Sequence, residues 1–193
     1  IVDPALVTVQ KTATFDTKQV GTGKSISVSF SLDGADKDNY IEPHTRVVSS
    51  IGVVTRKQLT VSDTLYSLNK VYDGTTNLPI TSNGTLQGVI QGDDVTLSTA
   101  AGSYASADAG SSKAFTIRYT LSGTDAANYT VNDTTGTTGI INKAVLTATV
   151  GDYSKTYGTT NPTFTVSVSG FVNGESASTA SGYNAPIASS TAT

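Results

Sequence analysis

An all-β chain of tandem β-sandwich repeats is the fold class predicted by three features: a hydroxyl-rich composition, an internal repeat of 87 to 89 residues, and short alternating apolar runs separated by glycine turns. Threonine and serine number 33 and 23 of 193 residues, whereas charged residues make up only 14%. Threonine beside valine, isoleucine and tyrosine suits a pleated, half-buried surface, and 18 glycines with scattered Asn and Asp supply turns. The hydrophobic share, 37%, is sufficient for the small cores of one or two domains.

The repeat sets the frame. Displacing the chain by 89 lays Phe15–Tyr40 over Tyr104–Tyr129 without a gap and makes seven positions identical: Gly21/Gly110, Lys24/Lys113, Leu32/Leu121, Gly34/Gly123, Asp36/Asp125, Asn39/Asn128 and Tyr40/Tyr129. The apolar ladder Ile26, Val28, Phe30 falls on Phe115, Ile117, Tyr119. After a two-residue slip, GVVTRKQLT from Gly52 aligns with GIINKAVLT from Gly139. A second register pairs KVYDGTTN (Lys70–Asn77) with KTYGTTNP (Lys155–Pro162), and GVIQGDD from Gly88 with GFVNGES from Gly170. The expected organisation is the back half of one unit (1–55), a whole unit (56–142) and the front part of a third (143–193), so that the chain starts and stops within units.

Within the whole unit, strands are expected near 59–61, 69–73, 84–90, 94–98, 114–122, 128–132 and 137–142, with alternation clearest in KAFTIRYTL. Seven short strands in such a unit predict an immunoglobulin-like sandwich. The alternative is a β-grasp unit, which requires a helix, and no apolar stripe of helical period is visible. Asp125-Ala-Ala-Asn-Tyr129 before the strand YTV has the spacing of a tyrosine corner, in which a hydroxyl ties the corner to backbone. A single helical turn capped by Asp125 has the same spacing. At the junctions SSIGVVTRKQLTV and TGIINKAVLTATV, the last strand of one unit runs into the first of the next without a Gly, Ser or Pro spacer. Such linkers do not behave as flexible coil. The expectation is a semi-rigid rod, each unit adding about 30 Å if its longest strand runs along it.

Several function classes are disfavoured. The net charge is −3 and the 12 Lys and Arg are dispersed, which argues against a nucleic-acid partner. With no Cys there is no disulfide, thiolate nucleophile or Cys-based zinc site. The joint absence of Cys, Met and Trp suits an exported, extracellular chain. No apolar run approaches the ~18 residues of a membrane span, and IVDPALVTVQ lacks a signal-peptide pattern, so a secreted chain would carry these residues internally.

KVYDGTTN, LSGTDAANY and the GII-K-x-x-LT pattern resemble the YDG-type repeat of large bacterial surface adhesins, and NKAVLTATVGDYSKTYGTTNPTFTVSVSGFVNGES resembles the MBG-type repeat that often follows it. The resemblance implies a stalk segment of a secreted or cell-surface adhesin, filamentous-haemagglutinin-like or autotransported, serving attachment, aggregation or biofilm formation. It implies no catalytic residue and no cofactor.

The candidate chemistry is weighed against structural roles. Tyr72-Asp73-Gly74 with Thr75 and Thr76 could contact carbohydrate or metal. The structural reading is a strand end entering a turn, with Tyr72 packing, Asp73 bonding backbone amides and Gly74 at positive φ. That reading is favoured because Tyr157 and Gly158 keep the pattern without the aspartate. Asp33, Asp36, Asp38 and Asn39 carry enough oxygens for calcium, but their counterparts Ser122, Asp125, Ala127 and Asn128 lose most of the charge. Lys24, Asp36, Asn39 and Lys113, Asp125, Asn128 contain the groups of an intramolecular isopeptide bond, although both lysines read as hairpin-turn residues. His44 stands alone, and the two glutamates, Glu42 and Glu175, fall in different units, so no enzyme is expected. Asp93-Asp94 reads as a solvated turn. Beyond neighbouring repeats, the partners considered are a glycan or a host or bacterial surface, and a second copy of the chain adding strands to open edges.

Overall fold

The computed structural model describes residues 6–190, and they form two compact units. One gathers residues up to Thr60 with Leu86–Thr96 and Leu121–Val131; the other holds Val61–Thr85, Leu97–Thr120 and residues from Asn132 on. Among the described residues the regular structure is strand, with two three-residue 3-10 turns, Lys37–Asn39 and Ala126–Asn128, and no α-helix. The helix that a β-grasp unit needs is not found among the described residues.

In the first unit β1 (Thr8–Phe15), β2 (Gly21–Asp33) and β3 (Arg46–Val54) make an antiparallel sheet in that order. β4 (Lys57–Ser62) follows after only Thr55 and Arg56. The following strands are β5 (Leu65–Tyr66), β6 (Asn69–Val71), β7 (Asn77–Leu78), β8 (Ile80–Ser82), β9 (Thr85–Gln87), β10 (Thr96–Tyr104), β11 (Gly110–Ser122), β12 (Tyr129–Val131) and β13 (Thr134–Asn142). β14 (Thr147–Val150) and β15 (Val166–Ser169) close the series as an antiparallel pair. The expected strands all have counterparts. β10 and β11 run longer than the alternation indicated, and β5, β7 and β8 are too short to leave a periodic signal.

The five-stranded sheet has the order β6-β13-β11-β10-β7, and its centre repeats the order of the first sheet, with β10, β11 and β13 in the places of β1, β2 and β3. The irregularity repeats too. The β2–β3 register breaks on both sides of Lys24, and the β11–β13 register breaks on both sides of Lys113. Each bulge puts a residue at positive φ, Gly23 (69°) in one copy and Ser112 (55°) in the other. The lysines therefore sit at bulges within long strands, and not in hairpin turns as expected. Gly52 and Gly139 recur because of close approach: a Cβ would stand 2.7 Å from the Phe15 ring at one and 2.5 Å from the Tyr104 ring at the other.

Two parallel pairings escaped the sequence reading. β12 pairs with β4, Tyr129 opposite Lys57, and β13 pairs with β6, Ile140 opposite Asn69. Both join the start of the whole repeat to its end, which parallel pairing permits only across a long connection. The core then assembles from Leu78, Tyr104, Phe115, Ile117 and Ile141, with Tyr66, Leu68, Tyr72, Ile80, Ala100, Ala109 and Tyr119 packed against it. The all-β, sandwich-like repeat is the fold of this chain.

The two copies of the sheet differ in cover. Ile117 has no exposed surface, whereas Val28, its repeat partner, is half-buried. Truncating Ile117 to Ala should cost roughly 2–5 kcal/mol, and truncating Val28 to Ala less than about 1.5 kcal/mol. Urea unfolding of the two variants beside the parent chain measures the difference.

Candidate functional sites

KVYDGTTN is organised from beneath by Lys70. Its side chain is only 7% exposed, and its ammonium donates to Asp73 Oδ1 at 2.7 Å, to the Thr75 carbonyl at 2.7 Å and to Thr75 Oγ1 at 3.1 Å. It also lies 5.9 Å from the centre of the Tyr104 ring, within cation–π range. Asp73 accepts from the Thr75 amide at 2.9 Å and from the Thr75 hydroxyl at 2.8 Å, closing an Asx turn over Gly74, whose φ is 74°. The lysine contact first, and then the Thr75 bonds, lower the Asp73 pKa to about 2. Tyr72 packs against the core while its hydroxyl donates to Glu175, and that bond, followed by burial, holds the phenol above its ordinary pKa. Gly74 completes the contact. Its carbonyl accepts from Asn173 Nδ2 at 3.4 Å, and a Cβ there would stand 2.4 Å from Asn173 Cβ.

KTYGTTNP forms a smaller turn. Lys155 donates to the Thr159 carbonyl at 3.3 Å, the Thr159 amide and hydroxyl donate to the Thr156 carbonyl, and Gly158 takes φ 80°. Tyr157 is fully exposed, so the shortened motif keeps the lysine and glycine geometry while its tyrosine does not pack.

The Gly-x-Asp-x-x-Asn-Tyr segments build a second recurring device. Asp36 accepts the Leu6 amide at 3.1 Å and returns its own amide to the Leu6 carbonyl at 3.4 Å. Asp125 makes the same reciprocal pair with Asp94, at 3.1 Å in each direction. The 3-10 turn that follows each aspartate has no side-chain cap from it, and the backbone amide of Asn39 closes on the Asp36 carbonyl. Tyr129 is 4% exposed and Tyr40 52%. The Tyr129 hydroxyl accepts from the Ile90 amide at 3.2 Å and donates to Asp93 Oδ2 at 2.7 Å. Burial, then the bond to Asp93, raises its pKa.

Asp93 corrects an expectation. Its side chain is only 9% exposed, because besides Tyr129 it accepts Lys18 Nζ at 2.6 Å. These two donors hold its carboxyl below the ordinary range, Lys18 first. Alongside, Asn128 Oδ1 accepts from the Val20 amide at 2.9 Å, Asn128 Nδ2 donates to Gln19 at 2.7 Å, and Arg56 Nε donates to the Ala127 carbonyl at 3.0 Å. Sequence reasoning missed Lys18, Asp93 and Glu175. The available signal was the alignment of GVIQGDD with GFVNGES, which places Asp93 and Glu175 at one position.

The candidate ligand and cross-link sets are not assembled. Lys24 donates to Thr17 Oγ1 at 3.1 Å and Lys113 to Ser106 Oγ at 2.6 Å, while Asp36, Asp125 and Asn128 are engaged as described. Among the described residues no three His, Cys, Asp or Glu side chains group as a metal set. Asp33 bonds the Gly34 amide, Glu42 the Leu32 amide, and His44 lies exposed in the segment before β3. A cavity of about 560 Å³ lies beside the Tyr72–Glu175 contact, lined by Asp108, Lys143, Phe171 and Tyr183 among others, with the last two rings edge to face at 5.3 Å. No helix of the described residues is long and apolar enough to cross a membrane.

This is a protein of serial all-β modules whose recurring polar motifs bond to the chain itself. A family model for the YDG domain matches residues 4–46 and 55–137, and one for the MBG domain (YGX type) matches residues 146–193. The chain belongs to the YDG-domain family and carries an MBG domain after it; such domains are repeat modules of adhesin-like proteins. No curated protein and no solved structure matches the chain.

Because the folded pKa of Asp73 lies below its ordinary 3.8, its contribution to stability is present above that pH and is lost as the pH falls toward 2. Thermal unfolding of the parent chain and of Asp73→Asn should therefore give melting temperatures that differ at neutral pH and converge between about pH 4 and pH 2.

Proposed function

We propose that this chain is a non-enzymatic stalk segment of a bacterial adhesin, secreted or held at the cell surface, that spaces an adhesive tip from the cell for attachment, aggregation or biofilm formation. The observation that carries the reading is serial construction. One sheet plan is built twice along the chain, and the connections at the expected repeat junctions are short, two residues between β3 and β4 and four between β13 and β14. Connections that short leave little freedom between the strands they join, which suits a stiff, serially built segment. Membership of the YDG family supports the adhesin setting, and the immunoglobulin-like sandwich is the architecture we assign to each unit.

Two rival readings rest on specific features. The cavity beside Tyr72, with Phe171, Tyr183, Asp108, Glu175 and Lys143, has the rings and polar groups of a glycan site. The first sheet has β1 and β3 as its edges among the described residues, where the five-stranded sheet adds β7 and β6, so a second copy could add strands there. The isolated chain should give no signal on a glycan array and scatter light as a monomer at micromolar concentration. Deleting residues 56–142 from the surface protein should weaken attachment without changing what is bound. Glycan binding that is lost in Phe171→Ala would replace the stalk reading with a binding module.

A further inference from the structure

The loops Gly88–Asp94 and Gly170–Ser176 occupy corresponding places in two repeats and share a closing bond and their glycines, although Asn173 is at positive φ (53°) where Gln91 is not. In each, the acidic residue's amide closes a turn onto the residue three before it, Asp93 to Ile90 at 3.0 Å and Glu175 to Val172 at 2.9 Å. Each is flanked by glycines at positive φ, Gly88 and Gly92 at 92°, Gly170 at 99° and Gly174 at 72°. In each, the carboxylate that the turn presents takes a donor from the repeat before it. Asp93 accepts Lys18, from the loop between β1 and β2. Glu175 accepts the hydroxyl of Tyr72, from the YDG turn. Flanking contacts run between the same partners: Asn128 to Gln19 and Val20 in the first case, Asn173 to Gly74 in the second.

We infer that this glycine-flanked acidic loop is a docking receptor by which each repeat grips the one preceding it, and that its partner is a cationic or phenolic donor on the preceding YDG repeat. The tyrosine of the YDG motif is thus a coupling residue, anchored by the packing of its ring in its own repeat and bonded through its hydroxyl to the next. Two donors of different chemistry serve because the receptor needs only a hydrogen-bond donor that reaches a carboxylate shielded from solvent, and the carboxylate makes that bond charge-assisted. The inference deepens the stalk reading, since it names what ties segments of successive sequence repeats to one another within a compact unit.

The test is amide hydrogen exchange on the full chain. Tyr72→Phe removes only the hydroxyl and should speed exchange at the Glu175 amide roughly ten-fold, leaving the Asp93 and Val20 amides as they were. Lys18→Met should speed the Asp93 and Val20 amides about two- to five-fold and leave Glu175 unchanged. Glu175→Gln should reproduce the Tyr72→Phe effect, and combining the two should add little. An unchanged Glu175 amide in Tyr72→Phe, an unchanged Asp93 amide in Lys18→Met, or equal acceleration at Ile117 and Ile141 would overturn the receptor, the last by placing the donor's role inside its own repeat. The readout is independent of the stalk reading, because a chain that bound glycan would still show or lack this coupling.

Discussion

The burial of one face of the long β10-β11-β13 sheet is the constraint on which the rest of the whole repeat depends. Three strands cannot dry a face by themselves. The residues ahead of them in the repeat must fold over it, and they do so with Tyr66, Leu68, Tyr72, Leu78 and Ile80. The first copy of the sheet shows what that cover contributes. Phe15 is 47% exposed, whereas its counterpart Tyr104 is 3% exposed. The alternating pattern is the same in both copies; the difference lies in what packs on top.

The polar motifs follow from that cover. A segment that crosses a sheet face and turns back needs its backbone groups satisfied at the turn. Lys70 and Asp73 do this for the YDG turn, and Asp125 with Asp94 for the corner before Tyr129. The bonds of Asp73 and Asp125 go chiefly to backbone or to neighbouring side chains, so these motifs fix geometry. Lys70 illustrates the reason: an ammonium buried to this extent must be surrounded by acceptors, and the turn supplies three. Where the aspartate is absent, at Tyr157-Gly158, a smaller turn keeps the lysine-to-carbonyl bond and leaves the tyrosine in solvent.

Much of the fold was legible in the residues. The ladder Phe115, Ile117, Tyr119 is a period-two pattern long enough to announce itself, and glycines such as Gly74 and Gly158 marked turns. The short strands β5, β7 and β8 were not legible, since two or three residues carry no period. The parallel pairs β4–β12 and β6–β13 were not legible either, because they join segments some 70 residues apart in sequence. Of the candidate sites, the Asp125 brace recurs as Asp36, whereas the Asn128 bonds to Val20 and Gln19 were not legible, because those partners lie 108 and 109 residues away. Asp93 was misread as solvated because a carboxylate in a Gly-Asp-Asp turn gives no hint that Lys18, 75 residues away, reaches it.

The sequence by itself determined the strand-forming composition, the repeat period, the family and the turn positions, because each of these is written in local pattern or in self-similarity. Only the tertiary structure decided which copy of a residue is buried, which tyrosine finds a carboxylate and which aspartate finds a lysine. Burial and hydrogen-bond partnership belong to pairs of segments, and identical residues such as Tyr40 and Tyr129 acquire different environments when different segments fold over them.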